Sequence, residues 1–297
     1  MRHFEAHQGA VNALAFLADG RLVSGGQNGS VKLWDTANDL SPQDVPDSEE
    51  LESAPITAIA AHPNQSRIAW GQRNGIALCW DVESQTRWSC SNRVGPVSGL
   101  AFLNEGRQLA IAFGQQAEAA ISGAVEIFNT DIGKLQRRFT SAHAVLSLCA
   151  EPKGKNVFWG GSDRRISTAQ LTAQDHRTSL PQRRDVRALA VDVAATNLAA
   201  ADDYIIHMYE VPSLRENRQL VGHKGRIDAL AFTHDGRHLI SGSWDNQIKI
   251  WDVDTGHETA AHDWGIGNIR AIALAPDGMT AAAAGDRGII ALWDLGS

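Results

Sequence analysis

Short runs of alternating apolar and polar residues, separated by turn residues, recur along the whole chain. The stretch 223–252 shows the pattern most clearly, with apolar alternation over 227–232 and 248–251 and the turn pairs Asp235-Gly236 and Asp245-Asn246 between them. Period-two alternation is typical of half-buried β-strands, and Asp, Asn and Gly tolerate the positive φ of tight hairpins. The pattern predicts three strands in each such unit and a fourth in the variable stretch before the next unit.

The units repeat at a nearly constant spacing. Trp-Asp pairs mark the end of four third strands, at 34–35, 80–81, 251–252 and 293–294. Degenerate pairs fill the same slot in three other units: Phe128-Asn129, Ala169-Gln170 and Tyr209-Glu210. Successive pairs lie 46, 48, 41, 40, 42 and 42 residues apart, which makes seven units. Self-similarity at this period indicates an array of structural repeats, so we expect a single domain over residues 1–297.

The sixth unit resembles the WD40 family in the residues Gly222-His223, Ser241, Asp245 and Trp251-Asp252. The resemblance covers essentially the whole chain. It implies an all-β fold, a seven-bladed β-propeller of four-stranded blades around a central channel. It also implies that the outermost strand of the last blade comes from the N-terminal segment. Residues 2–6 precede the first unit, so we expect them to close the ring by joining the last blade.

The resemblance further assigns a buried structural hydrogen-bond set in the sixth unit to His223, Ser241, Asp245 and Trp251. A buried imidazole and a buried indole N–H both need partners, and this set supplies them while fixing a tight turn. The first unit repeats the pattern but has Asn28 in place of the aspartate. We expect these residues to act structurally and not catalytically.

Composition narrows the class of protein. Hydrophobic residues make up 43% of the 297 residues and the formal net charge is −7, which allows a substantial core. The three cysteines have no CxxC spacing, which argues against a disulfide framework and a zinc ribbon. No segment has the apolar core of a signal peptide or the length of a transmembrane helix. These features predict a soluble, cytoplasmic protein without a membrane partner.

Charge is unevenly distributed. Seven acidic residues and no basic ones lie in 35–52, whereas eleven Lys and Arg accompany four Asp and Glu in 134–187. Each segment is either a solvated rim or a surface for an oppositely charged partner, and both interpretations stay open. The aromatic residues near the basic segment have the pattern of strand interiors, so we expect no nucleic-acid partner. The insertion 115–121 in the third unit is equally open to drift and to function.

Candidate chemistry is sparse, since the chain has no GxSxG, P-loop or GxGxxG motif. His234 and His238 bracket a hairpin, which does not present two metal ligands as one helix face does. No Cys or carboxylate cluster accompanies them at zinc spacing. Cys79 and Cys149 lie on predicted strands, where small buried side chains are more common than nucleophiles. We therefore expect no metal, no cofactor and no enzymatic activity.

The sequence predicts a non-catalytic scaffold that presents loop side chains to one or more protein partners and is monomeric outside its complex. Trp244 is central to this hypothesis, because its turn position is mostly polar in the other units. By resemblance, this position and those flanking the start of the first strand touch the ligand. The predicted partner-binding residues are Asp185, Arg187, Arg226, Asp228, Trp244, Asn268, Arg270 and Asp286.

Three alternatives stay open on the sequence alone. In the first, Trp244 covers a neighbouring blade or stacks on Arg226 and has no role in binding. In the second, the chain is a propeller enzyme or a small-ligand binder that uses the central channel. The first strands show mainly Ala, Leu, Val and Phe there, which disfavours this hypothesis. In the third, the chain is a domain of a larger assembly whose other subunits perform the chemistry.

Overall fold

Seven four-stranded antiparallel sheets are formed by the described residues. The computed structural model describes residues 1–38, 40–45, 54–91, 95–114, 123–151, 154, 156–171, 176–178 and 182–296. In six sheets the strands follow one another in chain order, as expected for short hairpins between alternating segments. Each of the seven sheets is one blade of a propeller.

The first four blades take their strands from β2 to β17. Blade 1 contains β2 (Val11–Phe16), β3 (Leu22–Gly26), β4 (Val31–Trp34) and β5 (Pro42–Asp44). Blade 2 contains β6 (Ile56–Ala61), β7 (Arg67–Gln72), β8 (Ile76–Asp81) and β9 (Arg87–Ser91). Blade 3 contains β10 (Val97–Leu103), β11 (Gln108–Gly114), β12 (Gly123–Asn129) and β13 (Leu135–Ser141). Blade 4 contains β14 (Val145–Ala150), β15 (Asn156–Gly161), β16 (Ile166–Gln170) and β17 (His176–Thr178).

The remaining blades include the N-terminal strand. Blade 5 contains β18 (Ala188–Val191), β19 (Asn197–Ala201), β20 (Ile205–Glu210) and β21 (Arg215–Val221). Blade 6 contains β22 (Ile227–Phe232), β23 (His238–Ser243), β24 (Ile248–Asp252) and β25 (Glu258–His262). Blade 7 contains β26 (Ile269–Leu274), β27 (Thr280–Gly285), β28 (Ile289–Asp294) and β1 (Arg2–Glu5).

The N-terminal strand closes the ring. β1 pairs antiparallel with β28, with Phe4 opposite Ile290, and completes the sheet order β1-β28-β27-β26. Phe4 also packs on Trp34 of blade 1, with 4.8 Å between the ring centroids, so this strand links the last blade to the first. The prediction of an all-β, seven-bladed propeller closed by its N-terminal strand is confirmed.

Close packing of first strands joins the blades around the channel. The first strand of each blade contacts the first strand of the next, from β2 to β26 and back to β2. Gly242 on β23 lies directly against Ile269 of the next blade, and Gly71 on β7 lies against Val97 in the same way. A Cβ at either glycine would overlap the neighbouring side chain. A buried Val or Ile therefore fixes each first strand against the preceding blade.

The charged segments lie on outer strands and connections. β5 is a three-residue exposed strand within the acidic segment 35–52, and residues 39 and 46–53 lie outside the described residues. The insertion 115–121 also lies outside them, between β11 and β12. In the basic segment, Arg137 donates to the backbone oxygen of Leu171 at 2.8 Å and Arg138 pairs with Glu126. Some arginines of the basic segment thus make contacts within the blades. Partner binding by the acidic segment, the basic segment and the insertion stays a prediction.

Candidate functional site at the mouth of the central channel

Seven side chains, one from each blade, line the mouth of the central channel. Each follows a buried Val or Ile at or just before the start of a first strand, as Asp228 follows Ile227 and Arg270 follows Ile269. Side chains alternate along a strand, so burial of one residue against the preceding blade turns its neighbour toward the channel. We call this set the mouth ring, and its members are Asn12, Thr57, Ser98, Leu146, Arg187, Asp228 and Arg270.

Deeper in the channel the lining becomes aliphatic. The residue two positions beyond each member of the mouth ring belongs to a second ring, as the period of a strand requires. We call it the aliphatic ring, and it comprises Leu14, Ile59, Leu100, Leu148, Leu189, Leu230 and Ile272. The charged and hydrogen-bonding side chains are therefore concentrated at the mouth, where the cavity has a volume of about 370 Å³.

Trp244 lies beside the mouth and is fixed by two residues of its own blade. Its indole Nε1 donates to Asp228 Oδ2 at 2.8 Å, and the Arg226 guanidinium carbon lies 3.8 Å from the ring centre. Arg226 also donates to both Asp228 oxygens at 2.8 Å. Trp244 therefore stacks on Arg226, one of the alternatives above, but it remains 38% exposed. The three side chains form one pre-organised unit.

Arg187 and Arg270 complete the charged side of the mouth ring. Arg187 Nη2 lies 2.9 Å from Asp185 Oδ2, so this arginine is paired within its own loop. Arg270 Nη1 lies 3.4 Å from Asn12 Oδ1, and its guanidinium carbon lies 5.8 Å from the Trp244 ring centre. Sequence reasoning missed Asn12 and the ring arrangement as a whole. The feature that could have identified the ring is the residue immediately after the buried Val or Ile at or just before the start of each first strand.

Asn268 and Asp286 lie in blade 7 and bind each other. Asn268 donates to Asp286 from its side chain at 2.8 Å and from its backbone N–H at 3.1 Å. Asp286 occupies the turn position that Trp244 has in blade 6, but here it holds its own loop. Neither residue is among those that line the mouth. The structure thus gathers Arg187, Arg226, Asp228, Trp244 and Arg270 around the mouth and leaves this pair outside the group.

Blade 6 contains a continuous chain of side-chain hydrogen bonds. Trp251 Nε1 donates to Ser241 Oγ at 2.8 Å, and Ser241 Oγ lies 2.7 Å from His223 Nε2. His223 Nδ1 lies 2.9 Å from Asp245 Oδ2. Indole nitrogen only donates and a carboxylate only accepts, so the network assigns Nδ1 of a neutral imidazole as donor and Nε2 as acceptor. Burial lowers the pKa of His223, which favours this neutral form.

Blade 1 builds a similar chain with one additional link. Trp34 Nε1 donates to Ser24 Oγ at 2.8 Å, and Ser24 Oγ lies 2.7 Å from His7 Nε2. His7 Nδ1 lies 2.9 Å from Ser30 Oγ, which donates to Asn28 Oδ1 at 2.9 Å. A hydroxyl thus connects the imidazole to the neutral amide. Sequence comparison missed Ser30 because it lies two residues after the turn position that was compared.

The candidate nucleophiles lie on strands, and the candidate metal ligands flank a hairpin turn. Cys79 is buried, and burial raises the pKa of its thiol to about 12. Burial also raises the pKa of Cys149. His234 and His238 flank the hairpin at Gly236, whose φ is +70°. Among the described residues, no group of three or more His, Cys, Asp or Glu is placed to hold a metal ion. That part of the chain also lacks any helix with the length and apolarity needed to cross a membrane.

The chain matches the family described as "WD domain, G-beta repeat" over residues 1–35 and 214–252. It is similar to ribosome biogenesis protein YTM1 of Eremothecium gossypii, with 26% identity over 284 residues, 85% of this chain and 57% of that protein. Striatin of Mus musculus is 23% identical over 257 residues, 85% of this chain and 29% of striatin. The periodic tryptophan protein 2 homolog of Neurospora crassa is 30% identical over 117 residues, 39% of this chain and 13% of that protein.

The family match and the fold agree with each other. The chain spans 57% or less of the length of these three relatives. The two matched segments contain the first three strands of blade 1 and of blade 6, the blades that carry the Trp-Ser-His hydrogen-bond chain. Seven four-stranded blades in a closed ring provide the architecture that such repeats form. The chain is a seven-bladed β-propeller with repeats of the WD40 family at residues 1–35 and 214–252.

Proposed function

We propose that this protein is a non-catalytic interaction scaffold whose face around the channel mouth binds a protein partner. The environment of Trp244 is the observation that carries this proposal. The indole is 38% exposed, donates a 2.8 Å hydrogen bond to Asp228 and stacks on Arg226 at 3.8 Å. Trp and Arg dominate interface energies, since each buries apolar surface while keeping a polar handle. Side chains that are already fixed lose little conformational entropy on binding.

The proposal covers the whole chain as one domain, residues 1–297, that is cytoplasmic and monomeric outside its complex. The printed names of the three relatives denote no enzyme, which supports a non-catalytic role. The propeller architecture also favours a scaffold, because the packed blades fix the backbone while the loops between strands can vary. Asn268 and Asp286 belong to the proposed surface as a rigid edge, since they hold the neighbouring loop of blade 7.

Site-specific photocrosslinking tests this proposal. A photoreactive phenylalanine analogue replaces Lys224, which is exposed in the loop leading to Arg226. In a matched control it replaces Arg237, whose side chain is 79% exposed in the hairpin at the opposite end of blade 6. In native lysate we expect a defined adduct from the Lys224 position and none from the Arg237 position.

The role of Trp244 is tested in the same background. Trp244→Ala, with folding verified by circular dichroism, should abolish the adduct and weaken binding to the identified partner by at least about 2 kcal/mol, or roughly 30-fold. Arg226→Ala should have an effect in the same direction, because it removes the stacking partner of the indole. An adduct that survives both substitutions would show that the partner binds elsewhere.

A further inference from the structure

Positive charge is concentrated at the channel mouth of an otherwise acidic protein. The chain has a formal net charge of −7. Four arginines nevertheless line the mouth, and among the described residues that line this cavity Asp228 is the only acidic one. These arginines are Arg73, Arg187, Arg226 and Arg270. Such a local excess in an acidic protein attracts an anionic group to this point and not to the surface in general.

Two of the four arginines are neutralised within the protein and two are not. Arg187 and Arg226 each pair with a carboxylate two residues away in the chain. Arg73 and Arg270 make no ion pair within the part of the chain that the structure describes. Arg73 is exposed in the β7–β8 turn, at the position that Gln27 occupies in blade 1. The uncompensated charge thus lies on the arc of the mouth formed by blades 7, 1 and 2.

Arg270 has hydrogen-bonding capacity that its neighbours leave unused. Its 3.4 Å contact with Asn12 is longer than a normal N–H···O hydrogen bond. Its Nε is shielded from solvent without an acceptor among the described residues, and so is the hydroxyl of Ser98 in the same ring. A guanidinium offers five donors in a planar fork that matches a carboxylate. The mouth therefore presents two donors, Arg270 Nε and the Ser98 hydroxyl, that have no acceptor among the described residues.

We propose that the channel mouth binds the carboxylate of an Asp or Glu side chain carried by the protein partner, with Arg270 and Arg73 as the anion-binding residues. The inference rests on the proposed function, because the carboxylate is supplied by a partner seated on the face of Trp244. That indole adjoins the cavity, so one protein ligand reaches both. The side chains of the aliphatic ring beneath carry no hydrogen-bond donor, so the donors for a carboxylate lie at the mouth ring.

A defined peptide probe tests the proposal without knowledge of the partner. The probe is a short fluorescein-labelled peptide in which Glu alternates with Gly, and its comparison is the same peptide with Gln at each Glu position. Fluorescence anisotropy with the full chain should show at least about tenfold tighter binding of the Glu peptide, as expected when a charge-assisted hydrogen bond is lost. Added salt should weaken this binding.

Arginine variants locate the site. Arg73→Gln introduces the residue of blade 1 at the same turn, and together with Arg270→Gln it should reduce Glu-peptide affinity at least about tenfold. Arg73→Gln alone should give a smaller loss in the same direction. Arg237→Gln, at the opposite end of blade 6, removes an equal charge and should change the affinity by less than about twofold. Circular dichroism verifies that each variant is folded.

The outcomes separate this inference from the proposed function. Equal binding of the Glu and Gln peptides, or Glu-peptide binding unaffected by the double substitution, would overturn the carboxylate site even if the Trp244-dependent crosslink is obtained. Inorganic phosphate alone competing at lower concentration than the unlabelled Glu peptide would overturn the side-chain source and indicate a free-anion site. Failure to obtain a crosslink from the Lys224 position with Trp244 and Arg226 intact, together with Arg270-dependent peptide binding, would instead refute the proposed function.

Discussion

Substitution of Asp245 by Ala breaks the hydrogen-bond chain of blade 6 at its charged end. The carboxylate accepts hydrogen bonds from His223 Nδ1 at 2.9 Å, Lys224 N at 2.8 Å and Gln247 N at 3.0 Å. Burial opposes ionisation here, but these donors lower the pKa of Asp245 below its usual value. The His223 side chain has 0% exposure in the intact protein, so its Nδ1 proton depends on this carboxylate for a hydrogen-bond partner.

The expected cost follows from these three donors. A buried donor left without a partner costs about 1–3 kcal/mol. The two backbone N–H groups lie at exposed or half-buried residues and can be hydrated, so together they add about 1 kcal/mol. We therefore expect Asp245→Ala to lower the free energy of unfolding by about 3 kcal/mol. Asp245→Asn keeps an acceptor for Nδ1 but loses the charge, so about half of this effect should remain.

Asn28→Ala in blade 1 is the matched control, because Asn28 occupies the same turn position. His7 Nδ1 keeps its 2.9 Å contact with Ser30 Oγ in that variant, so no buried imidazole nitrogen loses its partner. The expected cost is about 1 kcal/mol. Urea denaturation near neutral pH, followed by far-ultraviolet circular dichroism, measures both values. If Asp245→Ala costs no more than Asn28→Ala, the buried-donor argument is refuted.

Two further predictions concern ring closure and pH. Removal of residues 1–6 takes away the strand paired with β28 and uncovers Trp34, so the free energy of unfolding should fall by at least about 3 kcal/mol; an unchanged melting temperature would contradict the closure. Burial first, and Lys32 second, lower the pKa of His7 from 6.5 to about 4. The stability associated with neutral His7 is fully present above pH 6.5, and we expect about 3 kcal/mol of it to be lost as the pH falls to 4. Urea denaturation across this range should show a smaller pH dependence for His7→Asn than for the native chain, and equal slopes would refute the assignment.

The propeller could be predicted because each repeat has its turn residues and its strand-ending residue pair at the same positions within the repeat. The third strands β12, β16 and β20 end at the degenerate pairs Phe128-Asn129, Ala169-Gln170 and Tyr209-Glu210, as the spacing predicted. Strand ends are set by hairpin positions and by alternating burial, which survive when Trp and Asp are replaced. The fourth strands were placed only approximately, since their sequences vary and they pack on one side only.

The site was predicted less completely, and the reasons are geometric. Trp244, Arg226 and Asp228 were singled out by position, but their mutual contacts depend on rotamers that spacing does not determine. The mouth ring was missed because alternation shows that two faces of a strand differ without showing which face meets the channel. That choice is made when seven first strands pack against one another. Ser30 was missed for a similar reason, because it reaches His7 only through the turn.

Two successive residues of each first strand have different roles. One packs against the preceding blade, and the next lines the channel mouth, where it is available for recognition. The buried Val or Ile of each first strand must fit the preceding blade, where a glycine such as Gly71 or Gly242 gives it room. The next residue meets no such constraint, and the mouth ring accordingly holds an aliphatic leucine, neutral polar residues, two arginines and an aspartate on the same backbone. The fold therefore does not require arginine at position 270. Its contacts with Asn12 at 3.4 Å and with the Trp244 ring at 5.8 Å leave its charge without an ion-pair partner among the described residues, and this remaining charge is the property that the proposed carboxylate site uses.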